Sequence, residues 1–448
     1  MKKTYIDTAM ERIAPDLILK GGNVVDVFSG RVIKADVIIK DGIICGVGSY
    51  SGENEQDVSG KYIMPGFIDS HVHIESSMTQ PSEYAKAVMP HGITTVIADP
   101  HEITNVCGED GLEFMLKSAK NIPLDVNLML PSCVPATPFE HTGANLDAKT
   151  TQKLAPKFFG IGEMMNYPGI VSGDDETLGK LCLDIIDGHA PLLSGHELDA
   201  YASAGIKTDH ECSVVEEMTE KISKGMYILL REGTLSLDVA KLIKGVTPYT
   251  LRRCAFCTDD RFVGEIIRDG SIDHCIRKAV SLGLNNIDAI IMATLNACEM
   301  YGMKNKGAIA PSYVADIVVA DDLNLSSISQ VYKSGKLVCE NGKALFECET
   351  VDNSKVTNTV HLPKISADFF KTDVKDKFDA IELIPESIIT KKVTVSYSDS
   401  LSKVCVIERH HNLGTKGIGF VTNYGITNGA IATSIGHDSH NVIVIGDN

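Results

Sequence analysis

Residues 65–77 read PGFIDSHVHIESS. A Pro-Gly turn leads into an apolar run, and two histidines stand two apart at its end. Alternate residues of a strand point to one face. His71 and His73 can therefore grip one cation together, and neutral imidazole is a common ligand for zinc, iron and related ions. A bare His-x-His pair is usually two surface histidines on an ordinary strand. The turn before this one, and the polar groups that follow later strand-like runs, favour a metal.

Downstream, strand-like runs (ITTVIADP, DVNLML, FFGIGEM, PLLSGH, MYILLREG, RRCAFCTDD) alternate with helix-like segments such as DDETLGKLCLDII and CSVVEEMTEKISKG. This alternation over 65–307 predicts an α/β fold, a (β/α)8 barrel. Residues 1–64 and 308–345 carry short Val/Ile-rich runs broken by Gly and Asp turns, the pattern of a meander. They predict one small β domain built from both flanks. After the polar linker TVDNSKVTNTVHLPK, residues 365–448 predict a C-terminal α+β domain. The chain stops directly after the strand-like VIVIG, so this domain is expected to be incomplete.

The strand ends of a barrel face its active site, and polar residues gather at the predicted ends. Asp99, His101 and Glu102 follow ITTVIA; Asp99 reads equally well as a helix cap. Glu163 ends FFGIGE, where a carboxylate can bridge two cations. No lysine stands in that stretch to be carbamylated. His189 or His196 in DGHAPLLSGHE, and His210 in KTDHECS, offer one imidazole on each of two strand ends, and His189 is the better placed. Asp209 or Glu211 could orient His210. Asp259 and Asp260 close the series. A carboxylate there can hold metal and take a proton from an acidified water. The polar run His437, Asp438, Ser439 and His440 reads as a turn between two strands.

Composition narrows the function. The 448 residues are 44% hydrophobic and 23% charged, with a net charge of −17. That acidity argues against a nucleic-acid partner. There is no signal-peptide pattern and no apolar run of membrane-spanning length, so a cytoplasmic protein without a membrane partner is expected. The twelve cysteines follow no secreted pattern and are expected reduced. The CxxC of Cys254 and Cys257 reads as packing rather than a zinc or redox site.

The order His-x-His, Glu, His, His, Asp on successive strands resembles the amidohydrolase superfamily. Within it, the strings GFIDSHVHIESSM, GITTVIADPHEITNV, GIGEMMNYPGI, DGHAPLLSGHEL, TDHE, FCTDDR and GAIATSIGHDSHNVIVIG resemble the adenine deaminases over nearly the whole chain. The resemblance implies a binuclear Mn2+ or Fe2+ centre, adenine as substrate in purine salvage, and a homo-oligomer. It implies His71 and His73 at the first metal, Glu163 bridging, His189 and His210 at the second, and Asp259 as both ligand and base. Glu102 or His101 would handle protons on the purine ring. The segment FVGEIIRDGSIDH after TDDR departs from the family pattern and leaves the substrate role of that loop open. Two alternatives stand beside this reading: another amidohydrolase, such as a cyclic amidase or deacetylase, or an inactive truncated remnant.

Overall fold

A computed structural model describes residues 1–373, 376–385, 389–396 and 401–447. Eight parallel strands form the central barrel. They are β1 (Phe67–Val72), β2 (Ile93–Ala98), β3 (Asp125–Leu130), β4 (Gly160–Met164), β5 (Ile186–Gly188), β6 (Thr208–Asp209), β7 (Tyr227–Arg231) and β8 (Cys254–Cys257). Strands β1 to β5 pair in sequence as one arc, and β6 to β8 form a second. The ring closes through a parallel bridge between Val72 and Asp259. At the other seam, the Gly188 amide donates to Thr208 Oγ1 at 2.9 Å.

Strands buried on both faces need apolar residues on both, and β7 and β8 show how the period of two divides them. Ile228, Leu230, Cys254 and Phe256 join one apolar cluster with helix residues Cys275, Ile276 and Ile290. Leu229, Ala255 and Cys257 join another with Ile68 and Ala297. Cys254 and Cys257, three apart on β8, thus lie in different clusters and cannot share a ligand. All twelve cysteines are free thiols.

The fifth strand lies elsewhere than expected. PLLSGH is loop running into the helix Gly195–Ser203, and the strand is Ile186–Gly188, which begins at the last residue of the predicted helix DDETLGKLCLDII. That helix stops at Gly179, and Ile186 then pairs with Ile161 of β4. A β-branched residue with a strand partner overrides a weak helical pattern.

Both flanks of the barrel build one antiparallel-rich sheet. Its inner seam joins Tyr62–Pro65 to Ile317–Ala320, with Ile63 opposite Val319. Strands Leu17–Asp26, Arg31–Lys40 and Ile43–Gly48 extend it on one side, and Ile328–Lys333 and Lys336–Glu340 on the other. A charge cluster ties this sheet to the barrel. Asp316 accepts from Lys306 and Lys333, both at 2.8 Å, and Lys333 also reaches Asp125 at the start of β3 at 2.7 Å.

The C-terminal segment forms a six-stranded sheet ending in Val442–Gly446 paired with Ala430–Thr433. Of the expected α+β character, the helical part among the described residues is a single short turn, Ala367–Phe370. No helix among the described residues is long and apolar enough to cross a membrane.

Candidate metal centre

The residues singled out in the sequence converge at the C-terminal end of the barrel strands. His71 and His73 leave β1 with their Nε2 atoms 3.2 Å apart. His73 Nδ1 is fixed by the Asp99 carbonyl at 2.8 Å. Glu163, at the end of β4, divides its oxygens. Oε1 lies 3.6 Å from His73 Nε2 and 3.2 Å from His101 Nδ1. Oε2 lies 2.7 Å from His189 Nδ1 and 3.0 Å from His210 Nε2. The His71 and His210 rings stack at 4.1 Å.

Asp259 completes the ring. Its Oδ1 is 3.1 Å from His73 Nε2 and 3.6 Å from His71 Nε2. Its backbone is left-handed, with φ of 57°, a conformation that costs a non-glycine residue energy and clusters at functional sites. Two ladder bonds hold it there: its amide donates to the His71 carbonyl at 3.0 Å, and the His73 amide donates to its carbonyl at 3.1 Å.

Two buried carboxylates among four imidazoles fit divalent cations. Two ring nitrogens facing each other at 3.2 Å would compete for one proton, whereas a shared cation accepts both lone pairs. Burial pushes the Glu163 carboxyl up, but His189 and His210 pull it further down, well below the usual carboxylate range. Burial likewise raises Asp259, and the His73 hydrogen bond and Arg231 outweigh it, so it too stays ionised.

Several partners escaped the sequence reading. Asp99 caps no helix: the capping position is Pro100, with no side-chain bond. The Asp99 carboxylate instead accepts the Glu163 amide at 2.9 Å. Neither neighbour of His210 bonds its Nδ1. Asp209 is committed to Lys221 at 2.9 Å, and Glu211 to Arg231. Arg231, at the end of β7, also donates to Asp259 Oδ2 at 2.9 Å. No local pattern marks these roles, because each depends on a residue from a different strand. His196 is fully exposed and stands apart from the cluster. Asp260 is half-buried beside Asp259, and its carboxyl is pushed up by burial and by that neighbour. Glu102 meets His437 and His440, and His101 stands between it and Glu163. The run His437–His440 is indeed the connection between two strands, yet it enters the site.

A cavity of about 450 Å³ opens over the cluster, walled by His101, Glu102, Leu235, Phe262 and Asp438. That is the size of a small-ligand site. Eight parallel strands with a His-x-His, Glu, His, His and Asp set at their C-terminal ends define a metal-dependent hydrolase barrel, the amidohydrolase class. The amidohydrolase family pattern matches residues 62–339, and the adenine deaminase C-terminal domain matches 383–448. The chain is 48% identical to an adenine deaminase of Clostridium acetobutylicum and 45% identical to adenine deaminase 2 of Desulfotalea psychrophila. Each comparison spans 99% of this chain and 81% of the relative. This chain belongs to the adenine deaminase family. Among solved structures, enamidase covers 74% of this chain and 97% of its own, with a TM-score of 0.56 and 18% identity. A β-aspartyl dipeptidase from Fervidobacterium islandicum AW-1 covers 75% and 99%, with 0.54 and 20%. At those identities they share the fold.

Proposed function

We propose that the chain hydrolyses adenine to hypoxanthine and ammonia. Two things support it: the likeness to curated adenine deaminases over 99% of the chain, and the Glu163 carboxylate, whose one oxygen faces His73 and the other His189 and His210. His71, His73, Glu163, His189, His210 and Asp259 would hold a pair of divalent cations, Mn2+ or Fe2+. When bound, the pair lowers the pKa of a water and offsets developing negative charge.

The protein's own groups do the rest. Asp259, kept ionised and oriented by Arg231, accepts the proton of the attacking water and passes it to the departing amine. His101 and Glu102 stand together on the opposite wall, His101 Nε2 being 3.3 Å from Glu102 Oε1. One of the two, His101 or Glu102, protonates the purine ring nitrogen as C6 becomes tetrahedral, a step that needs a positioned acid. The C6–O bond forms, the C6–N bond breaks, ammonia leaves, and the proton of the new C6 hydroxyl returns to the group that protonated the ring, leaving the C6 carbonyl of hypoxanthine. Leu235 and Phe262 give the cavity mouth an apolar surface suited to a neutral base. A cytoplasmic homo-oligomer serving purine salvage completes the reading.

The test is ammonia release from adenine by purified protein loaded anaerobically with Fe(II) or Mn(II). Turnover lost in the double variant His71→Ala/His73→Ala, together with loss of bound metal, supports the assignment. A folded, loaded sample that ignores adenine but cleaves hydantoin, dihydroorotate or an N-acetyl sugar overturns it.

A further inference from the structure

The C-terminal sheet contributes side chains to the active-site cavity, and its reason for doing so lies in Glu102. This residue is 2% exposed, in the first turn of the helix His101–Ser118. A buried carboxylate is costly unless it is paired and hydrogen-bonded. Among the described residues its charged or hydrogen-bonding side-chain partners are all imidazoles: His101 from its own helix, and His437 and His440 from the far end of the chain. His437 Nδ1 meets one carboxylate oxygen and His440 Nε2 meets the other.

We infer that His437 and His440 are positioning residues that hold the Glu102 carboxylate in its working orientation, so that the C-terminal sheet is part of the catalytic apparatus. The inference rests on the adenine-deaminating reading, in which Glu102 and His101 move protons on the purine. The connection carrying the two histidines is itself braced. The His440 amide donates to the Gly436 carbonyl at 2.7 Å. His440 is left-handed, with φ of 54°, and its carbonyl accepts from buried Arg409. Asn441 Nδ2 donates to the His141 carbonyl at 2.7 Å, fastening the connection to the barrel. Asp438 Oδ1 lies 3.5 Å from His101 Nε2, so the same connection also touches Glu102's catalytic partner. Burial pushes the His440 imidazole down to about 4 despite Glu102, leaving a neutral ring that donates. Burial also disfavours charge on His437, but Glu102 more than compensates and raises it to about 9. Glu102 thus has a charged imidazole against one oxygen and a neutral N–H donor on the other, and little freedom to rotate.

The experiment uses the full chain loaded with Mn(II), with His440→Gln, His440→Leu, His437→Gln and Glu102→Gln made singly and in pairs. Adenine kinetics, metal content and melting are recorded for each. His440→Gln keeps an N–H donor and His440→Leu does not. The expected result is a fall in kcat of about 10- to 100-fold in His440→Leu, part of the ~10²–10⁴ that positioned acid–base groups contribute. KM and the two equivalents of metal are expected to persist, with partial recovery in His440→Gln. In the Glu102→Gln background, the histidine substitutions should cost nothing further, since residues acting as a unit are non-additive. His437 is partly exposed (41%), so His437→Gln gives a folded readout if the His440 variants unfold. Unchanged kcat in His437→Gln, or full additivity with Glu102→Gln, overturns the inference. So does loss of a third equivalent of metal, which would make Glu102, His437 and His440 a cation site. Catalytic turnover of adenine by the parent, measured first, separates failure of this inference from failure of the deaminase reading.

Discussion

Replacing Arg231 with Met removes one guanidinium from among three carboxylates. Arg231 is 4% exposed. It contacts Glu211, donates to Asp259 Oδ2 at 2.9 Å, and reaches Asp238 at 3.2 Å through Nε. Asp238 keeps Lys241 at 2.8 Å, so the burden falls on Asp259 and Glu211. Breaking a buried ion pair by removing one partner costs about 3–5 kcal/mol, and Arg231→Met should lose stability in that range. Methionine fills similar volume, so the loss reports charge rather than a cavity. The second effect is local. With Oδ2 released, the Asp259 carboxylate can turn and carry Oδ1 away from His73. Losing a partner that orients a metal ligand typically costs about 10- to 100-fold in affinity or activity. The assays are urea unfolding of the loaded protein, kcat/KM for adenine, and metal retention against a chelator. Arg231→Lys should restore much of the stability but less of the activity, because an ammonium cannot copy the guanidinium's fork. A Met variant within about 1 kcal/mol of the parent, and within about threefold in kcat/KM, would refute the reasoning.

Two further substitutions probe the scaffold. Burial pushes the Asp316 carboxyl up, but Lys333 and Lys306 pull it further down, so its folded value lies below 3.8. The stability it adds is therefore present above its unfolded value and is lost as pH falls through the folded one. Asp316→Asn should melt lower at pH 7, by the ~3–5 kcal/mol of a broken buried pair, and should show a shallower further loss below about pH 4; parallel acid limbs would count against this. At Gly162, a Cβ would stand 2.2 Å from Asp99 Oδ2 and 2.6 Å from its Cγ. Gly162→Ala should therefore displace the carboxylate that holds the Glu163 amide, destabilise by about 1–3 kcal/mol and weaken metal retention; a variant with full metal content and turnover would show that Asp99 yields freely.

Much of the site was legible because strand ends announce themselves locally. His71 and His73 declare their shared face by spacing alone, and Glu163 and Asp259 each follow an apolar run. What was hidden is what crosses between strands. Asp99 reads equally well as a cap beside Pro100, and only β4, two strands along the barrel, reveals that its carboxylate serves Glu163. Arg231 ends an unremarkable strand, and its three acidic partners come from three other places in the sequence. The run His437–His440 was readable as a turn, but a turn's local pattern is silent about the surface on which it docks. The fifth strand was misplaced because Ile186–Gly188 is only three residues long, too short for its period to outweigh a longer helical pattern.

The seam between Tyr62–Pro65 and Ile317–Ala320 also bears on how the chain is made. During synthesis, Ile63 leaves the ribosome long before Val319, with the whole barrel between them. The early strands must wait beside a growing barrel with one apolar edge unpaired, and pairings so distant in sequence form slowly. Transiently bare strand edges invite association with other chains. A nascent-chain pull-down with a holdase chaperone should therefore capture ribosomes stalled before residue 317 and release those stalled beyond the last strand of that sheet.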